Sequence, residues 1–240
     1  MITTAPKDNL ILSTAAFCLW DIPIQEKLEN CHQLGFSNVQ IAISTINMLK
    51  NFTSSLNSIS QIDKFKDVSL HAPWCGIKYG KNKSTVKIFD YLKYIDKHLP
   101  ISRYVFNYDC ISDAEVLYKS GLKIMIRNPV KPDSWNRYKA EIHENHIPAV
   151  FDLNKALRNN YPINSMIEEI RDSVSEIHVS GFFNGENRMP VVSSRQEYML
   201  NYLAQFNSGE IPIIIEGLFS PKNFPSIIAE KNLIKKHCIQ

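Results

Sequence analysis

A single closed (β/α)8 barrel is the fold that this 240-residue sequence predicts. Three observations lead there. Eight short apolar runs recur at intervals of about 25 to 30 residues, polar or amphipathic stretches separate them, and the runs are rich in Val, Ile and Phe without strict alternation, as strands buried on both faces are. Parallel strands need crossover helices, and closure removes the unpaired edges that an open sheet exposes. The open doubly wound alternative would place a glycine-rich turn after its first strand, where this chain reads FCLWDIP and offers no G-x-G-x-x-G. No Pro-, Gly- or Ser-rich linker interrupts the chain, so residues 1–240 read as one domain of ordinary barrel size.

The runs are LILSTAAF (residues 10–17), NVQIAIS (38–44), VSLHAPW (68–74), RYVFNYD (103–109), LKIMIRN (122–128), PAVFDLN (148–154), EIHVSGF (176–182) and IPIIIEGL (211–218). After the first, Asp21 is placed to cap a helix, Pro23 lies near its first position, Ile24, Leu28, Cys31 and Leu34 share one face, and Gly35 ends it. The stretch from Trp74 to Ser84, with Gly76, Tyr79, Gly80, Lys78, Lys81 and Lys83, reads as an exposed loop with solvated charges. Pro162 precedes a helical stripe of Ile163, Met166, Ile167 and Ile170. Tyr198, Leu200, Tyr202, Leu203 and Phe206 follow with partial helical spacing, and both patterns read as core faces.

Composition narrows the function classes. With 44% hydrophobic and 21% charged residues the chain can bury a substantial core, which sets it apart from disordered and fibrous sequences. A net charge of +3 from 27 basic and 24 acidic side chains leaves no broad electrostatic footprint for nucleic acid. Cys18, Cys31, Cys75, Cys110 and Cys238 are odd in number and form no C-x-x-C pair, which predicts a reducing compartment. No window approaches a membrane span of about 20 apolar residues, and MITTAPKDNLILSTAAF lacks a signal-peptide layout. The expectation is a cytoplasmic protein with neither membrane nor nucleic-acid partner, its oligomeric state left open.

On a parallel barrel the C-terminal ends of the strands converge on the active face. The polar residues there are His71, Asn107, Arg127, Asp152, Lys155, His178 and Glu216, with Trp74 and Arg188 in the loops beyond. Carboxylates such as Asp152 and Glu216 at the ends of apolar strands need a cation or a ligand. His71 reads either as a hydrogen-bonded histidine of the barrel mouth or as a proton-transfer partner, and Trp74 and Trp20 either as packing or as rings that stack on a sugar.

Four of these fragments carry a family likeness. VSLHAPW with His71, PAVFDLNKAL with Asp152, EIHVSGF with His178 and IPIIIEG with Glu216 occur in order, and together they resemble the xylose isomerase-like barrel superfamily of sugar-phosphate isomerases, epimerases and endonuclease IV. The resemblance implies a divalent metal, Mn, Mg or Zn, and of the family's ligands on strands five to eight it leaves Asp152, His178 and Glu216. The departures are equally specific. Arg127 stands where the family has a glutamate, with Asn128 after it; Lys155 and Arg188 stand in place of histidines, Gly181 in place of an aspartate, Asn107 in place of the endonuclease branch's histidine, and Gln40 in place of the second-strand acid.

A guanidinium stays protonated and would repel a nearby divalent ion by several kcal/mol even at a screened dielectric of about 20. The sequence therefore predicts a pocket without cofactor, the divalent metal being the alternative. In the enzyme reading, Arg127, Lys155 and Arg188, helped by Asn107 and Trp74, bind a small sugar-like or phosphorylated anion. Glu216 then serves as general base with His71 or His178 as proton partner, Asp152 completes the set, and Lys155 is a nucleophilic amine if desolvation lowers its pKa. The alternatives are a non-catalytic ligand-binding pseudoenzyme and a metal-dependent abasic-site endonuclease, which would need a multi-metal cluster.

Overall fold

A computed structural model describes residues 9–56, 60–206 and 210–238. Residues 1–8, part of the segment read for a signal peptide, lie outside them. Eight parallel strands close into a barrel. They are β1 (Leu10–Ser13), β2 (Asn38–Ala42), β3 (Asp67–His71), β4 (Ile101–Asn107), β5 (Ile124–Arg127), β6 (Ala149–Asp152), β7 (Val174–Val179) and, after a two-stranded hairpin of β8 (Gly181–Phe183) and β9 (Glu186–Met189), β10 (Ile213–Ile215). Closure comes from β1 pairing with both β2 and β10, Leu12 lying opposite Val39 on one side and Ile215 on the other.

The helices are α1 (Ile24–Gln33), α2 (Ile46–Ser54), α3 (Lys83–His98), α4 (Glu115–Tyr118), α5 (Trp135–Glu144), α6 (Leu153–Arg158), α7 (Ile163–Ile170), α8 (Val191–Ser194) and α9 (Phe224–Cys238). Strand residues alternate between two environments. Leu10, Leu12, Val39, Ile41, Phe151, Ile177 and Ile213 join the helices in one continuous apolar cluster. That cluster is the core, and it lies outside the strands.

The barrel interior holds a buried polar network beside apolar residues such as Ile11, Val150 and Ile214, which the outer cluster does not include. Ser13 donates to Gln40 Oε1 at 3.3 Å, and Gln40 Nε2 donates to Glu176 at 3.0 Å. Arg103 donates from Nε to Glu176 at 2.6 Å and from Nη1 to Asp67 at 2.6 Å, joining β4 to β7 and β3. Burial of these charges is tolerable only because each has a partner of opposite sign.

Several local expectations change. Pro23, not Asp21, occupies the N-cap of α1, with no side-chain cap bond, because the chain is still turning through Trp20 and Ile22. Gly35 does end that helix, at φ +71°, where a glycine avoids the Cβ strain of the left-handed region. The first run is shorter as a strand than it reads, since Ser13 Oγ accepts from Ala15 N and starts a 3-10 turn over Thr14–Phe17. The Trp74–Ser84 stretch is anchored in its middle: Tyr79 is buried and donates through its hydroxyl to Pro73 O at 2.6 Å. Lys78, Lys81 and Lys83 are exposed, with Lys81 beside Asp113 and Glu115. The Tyr198–Phe206 stretch is a 3-10 segment over Glu197–Gln205 that buries Met199, Leu200 and Leu203 and leaves Tyr198 exposed.

Candidate functional site

Arg127 ends β5 and occupies the centre of the barrel mouth. Its guanidinium grips Glu216 side-on, Nη2 to Oε2 at 2.5 Å and Nη1 to Oε1 at 3.2 Å, and Nη2 also donates to Asp152 Oδ2. Nη1 lies 3.4 Å from His71 Nε2. The two carboxylates raise the Arg127 pKa against the opposing effect of burial, so this cation is permanent. Glu216 is held well below the usual carboxylate range by Arg127, Arg188 and His178, which together outweigh desolvation.

Asp152 is fixed from both sides of β6. Its backbone N–H donates to Asn128 Oδ1 at 2.7 Å, extending the β5–β6 ladder through a side chain, and its Oδ1 caps α6 by accepting from Lys155 N at 3.0 Å. That cap aims the first turn of α6 across the mouth. Lys155 Nζ reaches Asn107 Oδ1 at 3.3 Å and Asn128 O at 3.1 Å, with Asp109 at 3.7 Å. Desolvation, then Arg127, lowers its pKa to about 8.

The histidines differ. His71 Nδ1 lies 3.0 Å from Ala72 O, which makes it the donor nitrogen, leaves Nε2 as the acceptor facing Arg127, and fixes a neutral ring. Desolvation and Arg127 push its pKa down to about 3, and its ring meets Trp74 edge-on at 4.6 Å. His178 is fully buried between two acids, Nε2 lying 2.6 Å from Glu176 and Nδ1 3.1 Å from Glu216 but off the hydrogen-bond axis. Burial and Arg127 lower its pKa, the two acids raise it, and the balance is upward.

Above this ion cluster is a cavity of about 270 Å³ whose wall includes Trp74, Asn107, Arg127, Asp152, Lys155 and Arg188. Six sequence candidates thus meet on one surface, whereas His71, His178 and Glu216 lie beneath it. Trp20 is not on the wall. Arg188 projects from β9 at φ +62°, with its guanidinium 5.9 Å from the centre of the Trp74 ring. Its position is set by Leu218 N donating to Arg188 O at 2.7 Å and by Glu230, whose carboxylate accepts from Val191 N and Val192 N at the start of α8.

Sequence reasoning missed Asp109, Asn154, Arg158, Ser180 and Asn187, which share the cavity wall. Asp109 is the last residue of the fourth run, so position alone could have found it. Asn154 follows Asp152 and donates to Ser180 O and Gly181 O at 3.1 and 2.8 Å, tying α6 to the hairpin. Gly181 itself has a steric reason: a Cβ there would lie 2.1 Å from Ser194 Oγ and 2.8 Å from its Cβ. An aspartate, which the resemblance would place there, has no room at that position. Gly181→Asp is expected to cost about 1–3 kcal/mol, measured as a lowered midpoint in thermal denaturation.

Among the described residues no group of three His, Cys, Asp or Glu side chains converges to hold a metal. Of the oxygens that could do so, both of Glu216 and Oδ2 of Asp152 are directed at Arg127, and Asp152 Oδ1 accepts from Lys155 N.

No family model and no curated relative matches the chain. Solved structures do. A D-tagatose 3-epimerase-like protein superposes with a TM-score of 0.64 at 14% identity, covering 95% of this chain and 96% of its own. An L-ribulose 3-epimerase gives 0.64 at 11% identity over 96% and 94% of the two chains. A sugar phosphate isomerase/epimerase from Parabacteroides distasonis gives 0.55 at 14% over 99% and 96%. The chain has the barrel fold of sugar epimerases and isomerases along nearly its whole length.

Proposed function

We propose that this barrel binds a small polyhydroxylated anion, such as a sugar phosphate or hydroxy acid, and performs isomerase- or epimerase-like chemistry on it without a divalent metal. The observation that carries the reading is Arg127, whose guanidinium takes both oxygens of Glu216 and Oδ2 of Asp152 at the place where a metal would need them. Above it, Arg158 and Arg188 make no ion pair among the described residues and stand on the cavity wall with Lys155. Cations left without carboxylates around a small cavity are suited to phosphate or carboxylate. Trp74, half-buried beside Arg188, offers a ring face for a sugar.

In this reading Glu216 is the counter-ion of Arg127, not the general base expected of it, because a strongly acidic carboxylate gripped by two N–H groups is a weak proton acceptor. His71, neutral with both nitrogens engaged, and His178, sealed below the cavity, orient the cluster. Asp109 is the carboxylate on the cavity wall without an arginine partner among the described residues. We place the protein in the cytoplasm, a reading supported by its five free cysteines. No helix among the described residues is long and apolar enough to cross a membrane.

Elemental analysis of purified protein is expected to give far less than stoichiometric Mn, Mg or Zn. Sugar phosphates should raise the melting temperature, and Arg158→Ala with Arg188→Ala should abolish that rise. Stoichiometric metal removable together with activity, or abasic-site cleavage dependent on metal, would overturn the reading.

A further inference from the structure

Resting on the anion-binding reading above, we propose that Lys155 is a covalent nucleophile, forming an imine with the carbonyl carbon of a hydroxyaldehyde or hydroxyketone that bears an anionic group, with Asp109 as its proton shuttle. The two buried acids of the mouth are both committed to Arg127, so the Lys155 amine is left without a close ion pair. Its nearest carboxylate oxygen, on Asp109, is 3.7 Å away, against 2.5 Å between Arg127 and Glu216. Asn107 Oδ1 and Asn128 O, at 3.3 and 3.1 Å, accept two N–H bonds. A neutral amine has two hydrogens, so these acceptors satisfy it fully and leave its lone pair for attack, while the third proton of the ammonium form goes to Asp109.

Position supports the same role. The Asp152 cap fixes the turn that carries Lys155, and Arg127 is bound to that same Asp152, which keeps a permanent cation close to the amine. Two like charges in a partly desolvated mouth favour the uncharged amine, in line with a Lys155 pKa of about 8. Arg158 and Arg188 lie on the same wall to hold the anionic end of the ligand.

The step balances. Asp109 takes one proton from the ammonium, the nitrogen attacks the carbonyl carbon as the C=O π bond breaks, and a proton moves from nitrogen to oxygen to give the carbinolamine. Asp109 then returns its proton to the departing hydroxyl, releasing water and leaving the protonated imine. That iminium withdraws electrons from the adjacent C–H bond, the service a Lewis-acid metal would otherwise give an isomerase.

Reductive trapping with cyanoborohydride and peptide mass mapping tests this with two probes, glycolaldehyde, too small to need the anion cluster, and dihydroxyacetone phosphate. At about pH 7.5 an amine of pKa about 8 has roughly a hundredfold more neutral form than an ordinary lysine; its weaker basicity offsets part of this, leaving about a tenfold faster reaction. Lys155 should therefore be reduced onto both probes about ten times faster than the exposed Lys97. Asp109→Asn should slow trapping at Lys155 alone. Lys155→Arg, which keeps the charge, should lose the adduct yet retain stabilisation by inorganic phosphate. Labelling with glycolaldehyde but not with dihydroxyacetone phosphate would support the nucleophile and sink the anion-binding reading. Labelling of Lys155 no faster than Lys97 by either probe overturns the proposal, and thermal stabilisation by the phosphate compound would then separate a surviving binding site from none.

Discussion

Arg127→Met is expected to destabilise the fold by about 3–5 kcal/mol. Removing the guanidinium leaves Asp152 and Glu216, both buried, without their shared cation and in a region of low dielectric. The arrangement predicts its own rescue. Arg127→Met combined with Glu216→Gln removes one of the stranded charges, and its melting temperature should recover part of the loss. Arg127→Glu gathers a third carboxylate and is expected to be destabilised in chelator and partly restored by Mn²⁺. A variant that melts within a degree or two of the parent, with no response to metal, would mean that Arg127 does not bind the mouth together.

Acid exposes the second large effect. Glu176 is fully buried; desolvation raises its pKa, yet Arg103 and His178 together bring it down to about 2 from 4.5. A carboxylate that binds its proton less readily when folded contributes stability that is complete above about pH 4.5 and is lost as pH falls toward about 2, here on the order of 3 kcal/mol. Glu216 shifts in the same direction and adds to the loss. His178 has the opposite sign: its raised pKa gives stability that is complete below about 6.5 and fades as pH rises through its folded value. Chemical denaturation across pH should find a broad maximum between these limits. Glu176→Gln should flatten the acid limb, and an unchanged limb would refute the assignment.

The barrel was legible in the sequence because eight apolar runs recur along the chain, several of them closing on a polar residue at the mouth, as MIRN and VFDLN do. The interior ladder was not. Arg103 and Glu176 sit near the starts of their runs, away from the face that reasoning from strand ends inspects, and they pair with each other across 73 residues of sequence. The hairpin was hidden because EIHVSGF reads as one strand, although Asn184-Gly185, both at positive φ (46° and 83°), is a tight-turn pair visible in the sequence. Of the site, the position of Arg127 among Asp152, His71 and Glu216 followed from strand ends alone. The burial of His178 and Glu216 beneath that cation did not, because depth below the mouth depends on barrel stagger, which no local spacing encodes.

The column of paired charges inside the barrel also bears on how the chain finds its register. Glu176 of β7 meets Gln40 of β2 and Arg103 of β4, strands that are not its neighbours. Slippage of β4 or β7 by one residue would turn Arg103 or Glu176 out toward the helices and strand its mate in the lumen. Greasy side chains would tolerate such an error, but this lumen rejects it, so ring closure proofreads its own alignment.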